Sequence, residues 1–361
     1  MTRVLIAPQE FKDSLSSDEA AAAIARGLRR AHPDWKLDSL PMSDGGPGLL
    51  DALRRAVRAD TGAAIVRDPL GRRVLGRYIR LRESGEVVIE AAQANGLWHV
   101  APAERDPLYS DTRGVGEIIA AALAEPTKRL IIGVGGSATT DGGAGMAVAL
   151  GARFTDMAGL PLGGGGAPLA DLARIDWQRP AFLDGVEILV ATDVTNPLLG
   201  PNGAAPIYAP QKGATPEQVD ILEAALHRYA SVLQRSLGVD IANLPGAGAA
   251  GGLAGGLVAF LGARIQSGFD LVADATHLHD RLAQADLVIT GEGSFDSQSL
   301  QGKVTGRILE LARAAGKPVV ILAGRAETRG PNIHTLAELE PDTATAMANA
   351  TALLTALAAT L

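Results

Sequence analysis

Short apolar runs rich in β-branched residues alternate with longer stretches of helical period along most of the chain, the pattern of a mostly parallel sheet flanked by helices. Val4 to Ala7 predicts a buried strand, Ser17 to Arg30 an alanine-rich helix that Ser16 or Ser17 can cap, and Lys36 to Pro41 a second strand. A helix from Pro47 to Val57 follows. The pattern then changes. Ala63 to Arg67, Val74 to Leu81 and Glu86 to Ala91 predict strands with short turns and no helix between them, hence antiparallel pairing. Helix and strand resume at Gly114 to Leu123 and Lys128 to Val134, followed by glycine-rich loops, a strand at Val186 to Ala191 and a helix near Pro216 to Leu237. Asp286 to Thr290 and Pro318 to Ala323 return to the buried parallel pattern of the start.

At 361 residues the chain exceeds the size of a single hydrophobic core. The simplest architecture is α/β. One doubly wound parallel-sheet domain comes from both ends, residues 1–67 and 283–361, with a second α/β domain of mixed sheet, residues 68–282, inserted. The natural crossings are then near Asp68 and Leu282.

Composition narrows the function. A net charge of −7 offers no broad basic surface to neutralise a phosphate backbone, so nucleic acid is not expected as a partner. The absence of cysteine excludes disulfides, thiolate nucleophiles and Cys-ligated metals, and suits a reducing cytoplasm. Met1 to Arg3 followed by Val4 to Ala7 reads as a first core strand, too short for a signal-peptide apolar region. Ile241 to Ala263 carries no charge and is long enough to span a bilayer, but seven of the residues from Gly246 to Ala263 are glycine, which argues against a transmembrane helix.

Three glycine-rich segments carry candidate chemistry. Gly133 to Gly145 follows an apolar strand, and its unshielded N–H groups can converge on phosphate oxygens. Gly133, Gly135 and Ala138 also satisfy the dinucleotide pattern G-x-G-x-x-A, with Asp156 near the ribose-binding distance, so a nicotinamide-dependent 2-hydroxyacid dehydrogenase is an alternative. The run from Ser137 to Asp141 favours phosphate, since a dinucleotide loop would enter its helix there. Pro245 to Gly252 follows a loop, so its glycines either pack on another backbone or present N–H groups to an anion. Ala285 to Lys303 predicts a strand ending in a loop that holds Glu292, Asp296 and Lys303, carboxylates placed to meet a metal-bound nucleotide. No Walker motif and no protein-kinase signature occurs in the chain. Polar loops follow three other strands: Pro8 to Ser14, Ser43 to Gly46, and Thr192 to Asn196.

Read together, the blocks APQEFKDSL, SDGGPG, IIGVGGSATTDGGAGM, ATDVTNPLLGPNGAA, PQKGAT, LPGAGAAGGLAGGLVAFLGA and LVITGEGSFDSQSLQGK resemble the bacterial glycerate kinase family of the first type, from Val4 to about Gly324. The resemblance implies an ATP- and Mg²⁺-dependent kinase that phosphorylates D-glycerate, usually to 2-phosphoglycerate, built from a flavodoxin-like domain and an inserted α/β domain. A non-catalytic relative that binds nucleotide or acid is a further alternative, because Gln9, Glu10, Pro47, Ser294, Thr305 and Arg325 depart from the family's pattern.

Phosphoryl transfer needs positioning and charge neutralisation more than covalent chemistry. The expected donors are the N–H groups of Gly135, Gly136, Gly142 and Gly143 with Ser137 and Asp141 beside them, joined by Gly248 and Gly251. Lys12, Lys303 and Lys212 are the expected cations. Asp193 and Glu292 are candidates for Mg²⁺, and Asp44 or Asp296 for orienting and deprotonating the acceptor hydroxyl.

Overall fold

The computed structural model describes residues 1–297, 299 and 303–361. The first strands are β1 (Arg3–Ile6) and β2 (Lys36–Ser39). The middle of the chain supplies β3 (Ala59–Arg67), β4 (Arg73–Leu81), β5 (Val87–Glu90), β6 (Arg129–Gly133), β7 (Arg153–Thr155), β8 (Arg174–Asp176), β9 (Glu187–Ala191) and β10 (Arg264–Gln266). The carboxyl-terminal part adds β11 (Leu287–Phe295), β12 (Val319–Ala326) and β13 (Ile333–Thr335).

These form two compact units, an α/β arrangement with one parallel sheet, one mixed sheet and the antiparallel pair β7-β8. The first comprises Met1–Asp44, Gly48–Arg58 and Phe269–Leu361, the second Gly45–Pro47 and Ala59–Gly268. In the first unit the sheet order is β13-β12-β11-β1-β2 with every pairing parallel. Apolar β1 lies between β11, the central strand, and the edge strand β2, with Val4 opposite Leu287 on one side and Leu37 on the other. The helix Ser17–Ala31 is fixed by a capping box in which Glu19 N–H donates to Ser16 Oγ at 3.2 Å and Ser16 N–H donates to Glu19 Oε2 at 2.9 Å. Its buried face of Ala20, Ala23, Ile24 and Leu28 joins Leu354 and Leu357 of the helix Ala350–Ala358 in one core.

In the second unit the sheet order is β10-β9-β6-β5-β4-β3. β3, β4 and β5 pair antiparallel, while β5, β6, β9 and β10 pair parallel. The long helix Pro216–Leu237 obeys its sequence signals throughout: a Thr215 capping box with Gln218, Pro216 in the first turn and a left-handed Gly238 at its end. It buries Leu222, Leu226, Tyr229 and Leu233, a stripe of helical period, in the core of this unit.

The chain passes between units near Arg58 and Gly268, where the sequence suggests Asp68 and Leu282. Asp68 instead closes the β3–β4 hairpin. Its buried carboxylate accepts the Leu70 and Arg72 N–H groups at 2.9 and 2.8 Å and Arg72 Nε at 2.6 Å, so all of β3 pairs with β4. Leu282 is buried inside the helix Leu278–Gln284. The uncharged stretch before β10 gives the nine-residue helix Leu253–Leu261, and among the described residues no helix is long and apolar enough to cross a membrane.

Glycine at position 27 sets how closely the two helices of the first unit approach. A Cβ there would lie 2.3 Å from the Thr355 carbonyl oxygen and 2.7 Å from Ala358 Cβ. Replacing glycine by alanine inside a helix ordinarily stabilises it by roughly 0.5–1 kcal/mol. Gly27→Ala should reverse that sign and destabilise by about 1–3 kcal/mol through overpacking. A lower urea midpoint with an unchanged slope is the expected result.

Candidate active site

In open parallel sheets ligands collect at the carboxyl ends of strands, where the order of connection reverses. In the first unit that point lies between β1 and β11, and both following loops are polar. The segment after β1 continues beside β11: Ala7 N–H donates to the Ile289 carbonyl at 2.8 Å and Gln9 N–H to the Gly291 carbonyl at 2.9 Å. Gly293 lies so close to the Phe11–Lys12 backbone that a Cβ on it would meet Lys12 N at 3.1 Å. This fixes the base of Lys12, whose side chain is exposed.

Carboxylates gather around the same edge. Asp44, after β2, accepts from Gln9 Nε2 at 3.1 Å. Burial and the neighbouring Asp44 carboxylate raise the pKa of half-buried Glu10, while Lys12 pulls it down. Glu292 stands within β11, opposite Ala323, because the strand runs on to Phe295; the sequence suggests it stops near Thr290. Glu292 is 6% exposed, and burial raises its pKa against the pull of the Thr305 and Ser299 hydroxyls and Lys303. Asp296 has a local duty: its carboxylate accepts the Ser299 N–H at 3.1 Å, and its own N–H donates to Ser299 Oγ. Lys303 is the residue at which the helix Val304–Ala314 begins, which puts it at a helix N-terminus.

Glu292 Oε1 and Thr305 Oγ1 are buried and neither makes a hydrogen bond of full geometry among the described residues, so the Thr305 and Ser299 hydroxyls act on the carboxylate from nearby without saturating it. Among those residues no group of three or more His, Asp or Glu is placed to hold a metal. A buried carboxylate oxygen of this kind fits Mg²⁺, which commonly takes only one or two protein carboxylates and completes its shell with water and phosphate oxygens.

The second unit treats its glycines differently from the expectation. Ser137 through Ala147 are buried, and within the loop after β6 Gly135 is half-buried and Gly136 exposed. Gly142 N–H donates to the Gly251 carbonyl at 3.0 Å, Gly143 N–H to Asp141 Oδ1 at 3.1 Å, and Gly248 N–H to the Asn196 carbonyl at 3.0 Å. A Cβ at Gly251 would lie 2.0 Å from the Thr139 carbonyl oxygen, and one at Gly256 2.4 Å from that of Gly142. The two glycine-rich segments are therefore packed back to back, and the N–H groups of Gly142, Gly143 and Gly248 serve the fold. Ser137 Oγ accepts from buried Asn95 Nδ2 at 3.2 Å and from Thr139 N–H at 3.1 Å.

Asp141 and Lys212 lie inside this packing as well. The Asp141 carboxylate, fully buried, accepts Thr112 N–H, Thr112 Oγ–H, Gly143 N–H and Gly145 N–H at 2.8–3.1 Å. Lys212 is 2% exposed, and its ammonium donates to the Thr139 carbonyl at 2.5 Å, so it is a clamp on the loop and no open cation. Half-buried Asp193, after β9, lines a cleft of about 580 Å³ with Thr195, Leu244, Arg264 and Gln266. The dinucleotide alternative loses its geometry here. The helix following β6 begins only at Ala144, and Asp156 closes a turn by accepting the Ala158 and Leu160 N–H groups.

The pattern of the glycerate kinase family matches residues 4–361. This chain belongs to the glycerate kinase family. Its relatives include a glycerate kinase of Halalkalibacterium halodurans, 42% identical over 325 residues, which are 90% of this chain and 86% of that protein. The glycerate 2-kinase of Escherichia coli K12 is 44% identical over 324 residues, 89% of this chain and 85% of that protein. A Salmonella typhimurium LT2 crystal structure with the provisional designation glycerate kinase 2 superposes with a TM-score of 0.81 at 43% identity, covering 99% of this chain and 98% of that one.

Within this family member, the sequence passes over three groups that the structure brings forward. Glu10 follows β1 beside Lys12, and a carboxylate next to a lysine at a strand end is the signal that marks it. Asp111 lies near Asp141, and burial with that neighbour raises it to about 6; the signal is an Asp-Thr pair ahead of a helix. Asn95 is buried and holds Ser137 and Thr139, and nothing local in the sequence announces it.

Burial lowers the Lys212 ammonium from 10.5 to about 7, against the opposing pull of Asp141. The unfolded chain then binds more protons than the folded one between those values, so this residue makes stability rise with pH across that window and leaves it flat below. From pH 7 to 9 the gain should be on the order of 2 kcal/mol. Urea unfolding at both pH values, compared with Lys212→Met, should show the rise in wild type and lose it in the variant.

Proposed function

We propose that the protein transfers the γ-phosphoryl group of ATP to D-glycerate, at the 2-hydroxyl. The observation that carries this reading is the unbroken family match from residue 4 to 361, which takes in every strand-end loop of both units. The name of the 44% identical Escherichia coli relative, a glycerate 2-kinase, supports the 2-hydroxyl. A first domain of flavodoxin-like type is supported by its strand order, 2-1-3-4-5 when the strands of that unit are counted in chain order. The second unit is the inserted domain of that reading.

Lys12 and Lys303 neutralise the phosphates or the glycerate carboxylate. Glu292 would hold Mg²⁺ in the first unit through its buried Oε1, and Asp193 is the carboxylate that the second unit offers to a metal. When bound, the ion neutralises charge on the phosphate oxygens. Asp44, steadied by the Gln9 amide, accepts the proton of the acceptor hydroxyl as the oxygen attacks phosphorus. In the second unit Gly136, exposed in the loop after β6, offers its backbone N–H to phosphate, whereas the Gly135 N–H donates to the Gly45 carbonyl at 3.4 Å and serves the fold. Asp296, Asp141 and Lys212 hold loops in place.

With purified protein, ADP should form only when ATP, Mg²⁺ and D-glycerate are all supplied, and the product should be 2-phosphoglycerate by NMR. Reduction of NAD(P)⁺ by glycerate with no ADP release would reverse the assignment. Faster turnover of another small 2-hydroxy acid would change the substrate and leave the kinase.

Removing one charge-assisted contact in such a site should raise the barrier by about 2–4 kcal/mol, roughly 30- to 1000-fold in kcat/KM. Lys12→Ala and Lys303→Ala should each show that loss while keeping the circular dichroism and melting temperature of the parent. Near wild-type rates in both folded variants would move the site elsewhere.

A further inference from the structure

A cleft of about 270 Å³ opens in the first unit at the carboxyl edge of β1, β11 and β12. Its lining is of two kinds. The strand-end segments supply the cations Lys12 and Arg325, neither of which forms a salt bridge among the described residues. Ser294 and Arg325 are direct neighbours across β11 and β12, and Arg325 Nε donates to Ser294 Oγ at 3.3 Å, which anchors the guanidinium at the rim. The helical segments Leu336–Glu338 and Thr343–Ala348 supply the apolar Leu336, Ala346 and Met347, and Glu340 between them adds a carboxylate to the lining.

Glycerate matches this cleft poorly. It is polar on every side and has no face for an apolar wall, and a pocket near the lower limit for drug-sized ligands, roughly 300 Å³, is larger than it needs. The arrangement suits a molecule with a flat, weakly polar body and an anionic tail. An adenine nucleotide has both, with amino and hydroxyl groups that can donate to a carboxylate.

We propose that this cleft is the seat of the adenine nucleotide, with the purine against Leu336, Ala346 and Met347 and the phosphate tail at Lys12 and Arg325. Glu340 accepts from the base amine or a ribose hydroxyl. The proposal rests on the ATP-dependent reading above and deepens it, by making Arg325 the residue that tunes nucleotide affinity.

Arg325 and Met347 are both exposed, so changes there leave the core untouched. Titration calorimetry with ADP, adenosine and inorganic phosphate as separate probes, on wild type, Arg325→Ser, Arg325→Lys and Met347→Glu, tests the seat. Loss of one charge-assisted contact should weaken ADP about 10- to 100-fold in Arg325→Ser. Arg325→Lys should recover part of it, and adenosine binding should be lost in Met347→Glu and kept in Arg325→Ser. In steady-state kinetics KM for ATP should rise with KM for D-glycerate unchanged. Wild-type protein that binds ADP with an affinity indifferent to all three substitutions would overturn the seat and leave the kinase standing. So would phosphate competition with no adenosine binding, which would make the cleft a simple anion site. Wild-type protein that neither binds ADP nor forms it with glycerate would overturn the kinase reading itself.

Discussion

One buried carboxylate organises the second unit. Asp141 has no exposure, and a charge taken out of water is tolerated only when it is fully hydrogen-bonded. Its donors come from Thr112, ahead of one helix, and from Gly143 and Gly145, at the start of another. The lysine near it, Lys212, is tied to the Thr139 carbonyl within the same loop. The glycines follow from this arrangement, since backbones drawn together by a shared acceptor need residues without side chains where they touch. Asp141 is thus a fastening for the segment that runs into the following helix, while Gly135 and Gly136 are held by the Gly45 carbonyl and the Leu97 N–H.

The first unit uses a different strategy. Its candidate site residues stand on strand ends and on short loops pinned to neighbouring strands, as Gln9 is pinned to Gly291 and Arg325 to Ser294. Rigid backbone beneath long, exposed cations is a suitable design for phosphate handling. The lysine or arginine can follow the moving charge while its root stays fixed.

Much of this was legible in the sequence, wherever a local signal has one physical meaning. Thr215, Pro216, Gln218 and Gly238 bracket a helix and can do little else, and the change from helical period to closely spaced strands near Ala63 marks the antiparallel part. Other signals are ambiguous. Glycine before a helix serves close packing and anion binding alike, and only coordinates show that Gly251 faces the Thr139 carbonyl. Glu292 and Ser294 look like loop residues, yet pairing with β12 carries the strand past them. Asp68 reads equally well as a linker or as the hairpin turn it forms.

The place of β1 between β2 and β11 governs the order in which the chain can assemble. Its partner β11 begins at Leu287, and the Arg3 N–H reaches Asp286 across 283 positions. A ribosome therefore releases the whole second unit, able to bury its own core, before the first unit can complete its sheet. Until then β1 has one neighbour strand in place and a second edge unpaired, with an apolar sequence that invites association with other chains. Loop closure over such a span is slow compared with the local pairing of β3 and β4. β1 is made before all the other strands of the sheet and is among the last to be covered, so its protection during synthesis is a constraint on how fast this protein can be produced without aggregating.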